Sequence, residues 1–342
     1  MKILIVTQKV DSQDPILGFF HQWIVEFAKY CESVTVICLE RGEYILPTNT
    51  SVLSLGKESG VSRIKYVLNF YKYIFKNRRN YDVVFVHMNP VYIILGGLFW
   101  KMFRKKIFLW YTHKNVDLKL KMAEKFVDKI FTASTESFRL VSKKVIVVGH
   151  GIDILKFSPM AHENNGVYTI ISVGRISKTK KQYDMVLTAK ILKDQGFRGR
   201  LILVGGTITE ADFVYEKKIK EYIVDNKLED YVILTGPISP NDITLWYEKA
   251  DMFINLSETG SMDKAILEAM ASGLEIVTSN EAFKNILPTD NFLGENDVDI
   301  NKIAKKITFL SERAPDAKLR EYIIKNHNLS TLLPKLIEIM EK

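Results

Sequence analysis

Gly174 and Arg175 close the apolar run "YTIISVGR", and Lys178, Lys180 and Lys181 follow just before a stretch of helical period. A glycine at a strand end, an arginine fork and mobile ammonium groups suit a pyrophosphate: the guanidinium grips oxyanions bidentately and lysine adds point charge. On composition alone an exposed basic loop is an equal reading, and the position at the carboxyl end of a strand favours the anion site. A second group lies in "SETGSMDKAILEAMASG", Ser257 to Gly273, where an apolar strand runs into a helix. Ser261 reads as the N-cap and Gly273 as the C-terminal stop. Met262, Ile266, Ala269 and Met270 then share one helix face, and Ser261, Lys264, Ala265 and Glu268 another, so Glu268 stands off the apolar stripe. Lys264 in the first turn opposes the helix dipole, and Lys four residues before Glu is the weaker orientation of that ion pair. An anion at the helix N-terminus would relieve this. The competing reading is a solvated face carrying a Lys/Glu pair.

The elements that must position these residues follow from the pattern of apolar runs. In the first half these are "KILIVTQ", "SVTVICLE", "DVVFVHM", "KIFLWYTH", "KIFTAS" and "KVIVVGH". The second half has "VYTIISVG", "RLILVGG", "YVILTG", "DMFINLS" and "LEIVTS", separated by helix-like segments. Short Val/Ile/Leu runs alternating with helical period signify parallel sheets covered on both faces. The pattern begins twice, and the polar stretch "FSPMAHENNGV" between the two sets reads as a linker. An α/β chain of two doubly wound domains is expected, residues 1–160 and 161–320, with ligands at the carboxyl ends of the strands. Residues 321–342 are expected to form a closing helix that packs back on the first domain.

The composition agrees with this reading. At 342 residues, 47% hydrophobic and 26% charged, the chain has globular composition and is long enough for two cores. The formal charge of +8 suggests an acidic partner, which could be nucleic acid, an anionic membrane surface or a phosphorylated small molecule. Cys31 and Cys38 are the only cysteines, too few for a disulfide framework or a four-cysteine zinc site, and a reducing cytoplasm is the default. "MKILIVTQKV" is too short for a secretory apolar region and reads as a first strand. "VYIILGGLFW" is about half a membrane span, so no transmembrane helix is expected.

"VGR" with a lysine five or six residues on, and "EAMASG" more than eighty residues later on a strand-loop-helix, resemble the retaining glycosyltransferases of family 4. Those enzymes have the GT-B fold of two facing Rossmann-like domains. "GHGIDILKFSP" is similar to the segment that closes the family's first domain, and "LILVGG" and "VILTGPIS" stand in the expected places. The resemblance implies transfer of a hexose-type sugar from a nucleoside-diphosphate sugar, of UDP or GDP type, to a glycan or lipid-linked acceptor. It implies that Arg175 and Lys181 contact the diphosphate beside Gly174, with Lys180 as the rival lysine. Glu268 would bind the ribose hydroxyls, a task that suits a carboxylate accepting from two vicinal donors. The family's first glutamate is missing: Gly260 stands eight residues before Glu268, and Glu258 or Asp263 would have to substitute. The donor site implied is thus Gly174, Lys180, Glu258, Gly260, Ser261, Met262, Lys264 and Glu268.

In the first half, "PILGFFHQWIVEFAKY" stands where the family has a glycine-rich loop, with Gly18 as a further donor-site residue, the glycine that lets the backbone approach the donor phosphate or the acceptor, for which an ordinary turn is the plain alternative. His113 matches a histidine beside the transferred sugar, and a capping or core role is its alternative. His87 and His150 rank behind it. No histidine pair or carboxylate cluster suggests a metal, the resemblance implies metal independence, and no cofactor is expected. No Gly-x4-Gly-Lys-Ser/Thr loop is present. "VSRIKYVLNFYKYIFKNRRNYD" and "GGLFWKMFRKKIFLW" mix aromatics with Lys and Arg, which would suit peripheral contact with an anionic leaflet as well as a solvated domain surface. A cytoplasmic, peripheral enzyme of cell-surface polysaccharide or glycolipid synthesis is therefore expected, with no nucleic acid partner. A non-catalytic nucleotide-sugar-binding subunit, an epimerase or a phosphorylase of the same fold are the alternatives. A nicotinamide-dependent dehydrogenase ranks last, since no Gly-x-Gly-x-x-Gly follows the first strand.

Overall fold

Strands that are apolar on both faces fold only where both faces are covered, and the structure, a computed structural model, meets that condition twice. It describes residues 1–160, 166–257, 260–294 and 299–342. These group into two units, Met1–Gly151 with Leu329–Lys342, and Ile152–Asn328.

In the first unit the order is β1 (Lys2–Val10), α1 (Phe19–Tyr30), β2 (Ser33–Arg41), β3 (Thr50–Ser54), α2 (Arg63–Lys76), β4 (Val83–His87), α3 (Pro90–Met102), β5 (Lys106–Trp110), α4 (Leu118–Glu124), β6 (Lys129–Thr132) and β7 (Val145–Val147). The seven strands form one parallel sheet in the order β3-β2-β1-β4-β5-β6-β7. Period-two alternation divides β1 between two cores. Ile3 and Ile5 join Trp23 and Phe27 on one face, while Leu4 and Val6 join Phe70 and Trp100 on the other. β3 was not expected from the sequence. It is an edge strand, "TSVLS", none of whose residues is fully buried, so it lacks the apolar run that marks its neighbours.

The second unit has β8 (Tyr168–Val173), α5 (Gln182–Asp194), β9 (Gly199–Val204), α6 (Glu210–Asp225), β10 (Val232–Gly236), α7 (Thr244–Tyr247), β11 (Met252–Asn255), α8 (Lys264–Ala271), β12 (Glu275–Thr278), α9 (Ile300–Ser311) and α10 (Ala317–Asn326). Its parallel five-stranded sheet runs β10-β9-β8-β11-β12. Leu201 and Leu203 enter one core, Ile202 and Val204 the other.

The expected closing helix is broken at His327–Asn328, and its last part is α11 (Leu329–Glu341). α11 belongs to the first unit, where Leu332, Leu333 and Leu336 share the core of Trp23 and Phe27. The stretch read as a linker begins at Phe157, which is buried in the second unit's core. Residues 161–165 of that stretch lie outside the described residues. "VYIILGGLFW" forms most of α3, and among the described residues no helix is long and apolar enough to cross a membrane.

Candidate functional site

In a doubly wound sheet the strand order reverses at one point, where the loops leaving the two flanking strands separate and open a ligand crevice. In the second unit that point lies between β8 and β11. Both sequence-derived clusters leave from there: Gly174–Lys181 follows β8, and residues up to Lys264 follow β11.

The loop after β8 is held against the end of β9. Gly174 N–H donates to the Val204 carbonyl and Ile176 N–H to that of Gly206, each at 2.9 Å. Gly205 sits at φ +138°, and a Cβ there would lie 2.1 Å from the Gly174 carbonyl oxygen, so this approach admits no side chain. Gln182 anchors the next turn by donating to the Arg175 carbonyl at 2.9 Å and accepting from Ser177 N–H at 3.2 Å. The Arg175 side chain remains 44% exposed, with Nε 3.8 Å from Asp212 Oδ2. Asp212 belongs to the capping box of α6 with Thr209. The Thr209 N–H, with the Arg175 charge adding to it, holds the Asp212 carboxyl below the usual carboxylate range. An ionised Asp212 thus aims the guanidinium from the side.

The two adjacent lysines are placed differently. Lys178–Lys180 forms a single 3-10 turn, and Lys181, at φ +53°, is the left-handed residue joining it to α5. The Lys180 ammonium crosses to the loop after β11 and pairs with Asp263 Oδ2. Asp263 also accepts from Asn255 Nδ2 at 3.1 Å and, through Oδ1, from Ala265 N–H at 3.3 Å.

Asp263, and not Ser261, is therefore the N-cap of α8, and the helix begins at Lys264. Both residue types cap well; the side chains of Lys180 and Asn255 decide for Asp263, and the sequence does not show that they meet there. The consequence is electrostatic. The negative charge sought at this helix end is supplied by Asp263 itself, so Lys264 in the first turn is no longer an argument for a bound anion. Ser261 instead has its carbonyl held by Asn280 Nδ2 at 2.9 Å. Met262 is buried with Ile266 and Leu267 in the apolar core, so its side chain packs there and does not face a ligand. Gly260 is buried at φ +63°, and Glu258 lies outside the described residues.

A polar network that sequence reasoning missed carries this loop. Asn255 Oδ1 accepts from Ser257 N–H at 3.1 Å, and Thr278 Oγ1 accepts from Asn280 N–H at 3.0 Å. Asn255, Thr278 and Asn280 are all buried. Buried amides keep their positions only when such bonds are made. Asn255 at the end of one apolar strand and Asn280 two residues past the end of another were the available signal.

Glu268 projects from α8 in a fixed pose. Its Oε1 lies 3.1 Å from Lys264 Nζ, and its Oε2 accepts from the Tyr247 hydroxyl at 3.3 Å. Burial, together with the Glu268 charge, pushes the Tyr247 phenol well above its ordinary value, so it serves as a donor at all working pH. Lys156 feels the same carboxylate: burial lowers its pKa and Glu268 opposes that shift. The Lys/Glu pair read from the sequence is formed, but the Glu268 side chain is only 12% exposed, so it is not a solvated face.

The first unit's strand order reverses between β1 and β4. His87, the last residue of β4, is buried there, stacked on Phe20 with ring centroids 3.8 Å apart and with Nδ1 3.2 Å from Thr7 Oγ1. Its environment is that of a core histidine. His150 is buried edge-on to Trp110. His113, after β5, is exposed, and its Nδ1 accepts from Asn115 N–H at 3.1 Å, which places the neutral ring's proton on Nε2. Gly18 caps α1 in a right-handed conformation, φ −58°, so its backbone does not require glycine. The preceding loop is tied down by Lys9, whose ammonium meets Asp14 at 2.8 Å, Glu40 at 3.1 Å and Asp11 at 3.3 Å. These partners raise the Lys9 pKa above its ordinary value. That clamp was not read from the sequence, because its four residues are unremarkable one by one. Among the described residues, no group of three or more His, Cys, Asp or Glu is gathered to hold a metal ion.

The segment that carries the switch-point loops of the second unit is also the segment that known proteins share. Residues 167–313 match the family model of glycosyl transferases group 1. The chain is 30% identical over 168 residues to the alpha-monoglucosyldiacylglycerol synthase of Streptococcus pneumoniae, a match covering 45% of this chain and 36% of that relative. Several other curated relatives are likewise matched over less than half their length. A longer match, 24% identical and covering 86% of this chain and 82% of the relative, is to the UDP-Gal:alpha-D-GlcNAc-diphosphoundecaprenol alpha-1,3-galactosyltransferase of Escherichia coli. Among solved structures, Anabaena Alr3699/HepE in complex with UDP superposes with a TM-score of 0.78 at 15% identity, covering 100% of both chains. The fold of this chain is thus GT-B, two parallel-sheet α/β units of the kind seen in glycosyltransferases.

Proposed function

We propose that the protein is a retaining glycosyltransferase that moves a sugar from a nucleoside-diphosphate sugar, of UDP or GDP type, to a glycan or lipid-linked acceptor. The observation that carries this reading is the Lys180–Asp263 pair, which joins the loop after β8 to the start of α8 at the second unit's switch point, with Arg175 half exposed in the same loop, inside the matched segment. The relatives named for glycolipid and diphosphoundecaprenol substrates support the acceptor class.

In this reading the work required of the protein is stabilisation of the departing diphosphate. Arg175 presents a planar fork, half in solvent and steered by Asp212, to two phosphate oxygens. The Lys180 ammonium has three donors, so it can keep Asp263 while turning another to the phosphate, and Lys181 adds charge beside it. Glu268, oriented by Lys264 and Tyr247, accepts from the ribose hydroxyls. Backbone groups from Gly174 and from Gly260 to Met262 line the same loops. Cationic side chains perform the task that a divalent ion performs elsewhere, so the proposed reaction is metal-independent and uses no cofactor. The first unit takes the acceptor, with Gly18 at the loop after β1 and the Nε2–H of His113 available to a sugar hydroxyl. A lipid-linked acceptor places the enzyme peripherally on the cytoplasmic face of a membrane. Retention through front-face departure and attack comes from the family resemblance.

Gly260, in the place of the family's first glutamate, favours one second reading, a nucleotide-sugar-binding subunit without transfer activity. Release of nucleoside diphosphate separates the two. Full-length protein given UDP- and GDP-sugars should release nucleoside diphosphate on addition of a polyprenyl-diphosphate-sugar or diacylglycerol acceptor and only slowly without it. Tight donor binding with no acceptor-dependent release would support the binding subunit and overturn the transferase.

A further inference from the structure

α2 turns apolar side chains outward. Ile64 is 74% exposed, Leu68 57% and Phe75 37%. Spaced at i, i+4 and i+11, with half-buried Tyr71 at i+7, they form one stripe along the helix, separate from the inner face of Phe70 and Ile74. α3 continues the stripe. Phe75 packs at 5.0 Å on Phe99, Tyr71 at 5.6 Å on the same ring, and the neighbouring Leu98 and Met102 are 58% and 66% exposed. Tyr71 and Phe99 also pack against the core of Phe70, Trp100 and Ile107, whereas Ile64, Leu68, Leu98 and Met102 are more than half exposed, an apolar surface that folding does not require.

The charges around the stripe are predominantly positive. Residues 61–81 contain Arg63, Lys65, Lys72, Lys76, Arg78 and Arg79 and no acidic residue, and residues 82–106 contain four further bases and one acid, Asp82, whose carboxylate accepts from Lys2 N–H. Lys101 pairs with Asp128 and Lys105 reaches the Tyr81 carbonyl, so the positive rim comes chiefly from α2 and the turn after it. Lys65, Lys72 and Lys76 are exposed and lie directly beside the apolar stripe on the helix surface. Insertion of a few apolar side chains between a row of cations is the pattern that an anionic bilayer accepts: acyl chains take the stripe and headgroups the ammonium ions. A protein partner would need acidic side chains set among apolar ones, and a second copy of this predominantly basic face would repel the first.

We infer that the α2–α3 face of the first unit docks the protein on an anionic lipid bilayer, with Ile64, Leu68, Phe75, Leu98 and Met102 as the inserting residues. This deepens the reading of a membrane-borne acceptor and rests on it for its purpose. Its test needs neither donor nor acceptor, so docking and transfer can fail independently.

The test is flotation of the full-length protein with vesicles of phosphatidylglycerol and phosphatidylcholine, or of phosphatidylcholine alone, at low and at physiological salt. Each cation near the surface is worth roughly fivefold in partitioning, so binding to the anionic vesicles should exceed that to neutral ones by at least about tenfold and weaken with salt. Ile64→Glu with Leu68→Glu, both at positions more than half exposed, should lose the binding about tenfold or more at both salts while thermal unfolding stays unchanged. Lys72→Glu with Lys76→Glu should lose mainly the salt-sensitive part. Failure of the wild type to float with anionic vesicles, or flotation of the Ile64/Leu68 variant like the wild type, would overturn the inference. So would a dimer in sedimentation equilibrium that the same variant dissolves, with no flotation, since the face would then join copies of the chain.

Discussion

Lys180 and Lys181 are neighbours in sequence, yet one ends a 3-10 turn and the other is a left-handed joint at φ +53°. The family likeness favoured Lys181, whereas the side chain brought to the start of α8 is that of Lys180. Arg175 and Glu268 were legible because a charged residue at a strand end, or off a helix's apolar stripe, contradicts its local pattern. Asp263, Asn255 and Tyr247 were not, because each acts through a partner that only the fold supplies; Lys180 and Asp263 are 83 residues apart. Glu268 yields a test at this scale. If it accepts from ribose hydroxyls, Glu268→Gln should weaken binding of the preferred nucleoside diphosphate by about tenfold, the worth of a hydrogen bond to a charged group. The variant should also lose the wild type's preference for the ribonucleotide over its 2′-deoxy counterpart, read by calorimetric titration. An unchanged preference would remove the ribose role from Glu268.

Strand and helix order came readily from the sequence because alternation of apolar runs with helical period is a local signal. The exceptions have local causes too. β3 has too little apolar content to announce itself, and the closing segment breaks where Ile152 N–H donates to the His327 carbonyl at 2.6 Å. The faces of α2 were not decidable by period, since apolar residues occupy two of its sides, and burial settles which side is core. His327, at the end of α10, is buried, and burial lowers its pKa from 6.5 to about 4. A histidine whose folded value is depressed is neutral in both states above 6.5, so its burial there is free of a charging penalty. As pH falls from about 6.5 toward 4 the unfolded chain takes up the proton first, and stability is lost by up to roughly 3 kcal/mol at 1.36 kcal/mol per unit. Urea unfolding of the wild type between pH 7 and 4 should show this loss, and His327→Asn should flatten that part of the curve. Glu275, whose carboxyl is raised by burial, works in the opposite direction at the acid end and cancels in the difference between the two proteins. Equal pH dependence of both would contradict the assignment.

Over the whole molecule the sequence announced two doubly wound sheets because it repeats its strand–helix alternation after a polar interruption, and two parallel sheets are present. The net charge of +8 could not name the acidic partner, since charge carries no position. Position comes from the fold: the second unit gathers cations at a switch point, and the first spreads them beside an apolar stripe. The central claim is that the first of these places is a nucleoside-diphosphate site, and calorimetric titration tests it most directly. UDP, GDP and ADP, with the corresponding monophosphates, are titrated into the full-length wild type, Arg175→Ala and Lys180→Ala. One diphosphate should saturate the wild type and bind more tightly than its monophosphate, and each substitution should weaken the diphosphate by about tenfold or more while sparing the monophosphate, since charge-assisted bonds to phosphate contribute about 1.5–3 kcal/mol. Saturation by none of the diphosphates, or diphosphate affinity unchanged in both variants, would contradict the account.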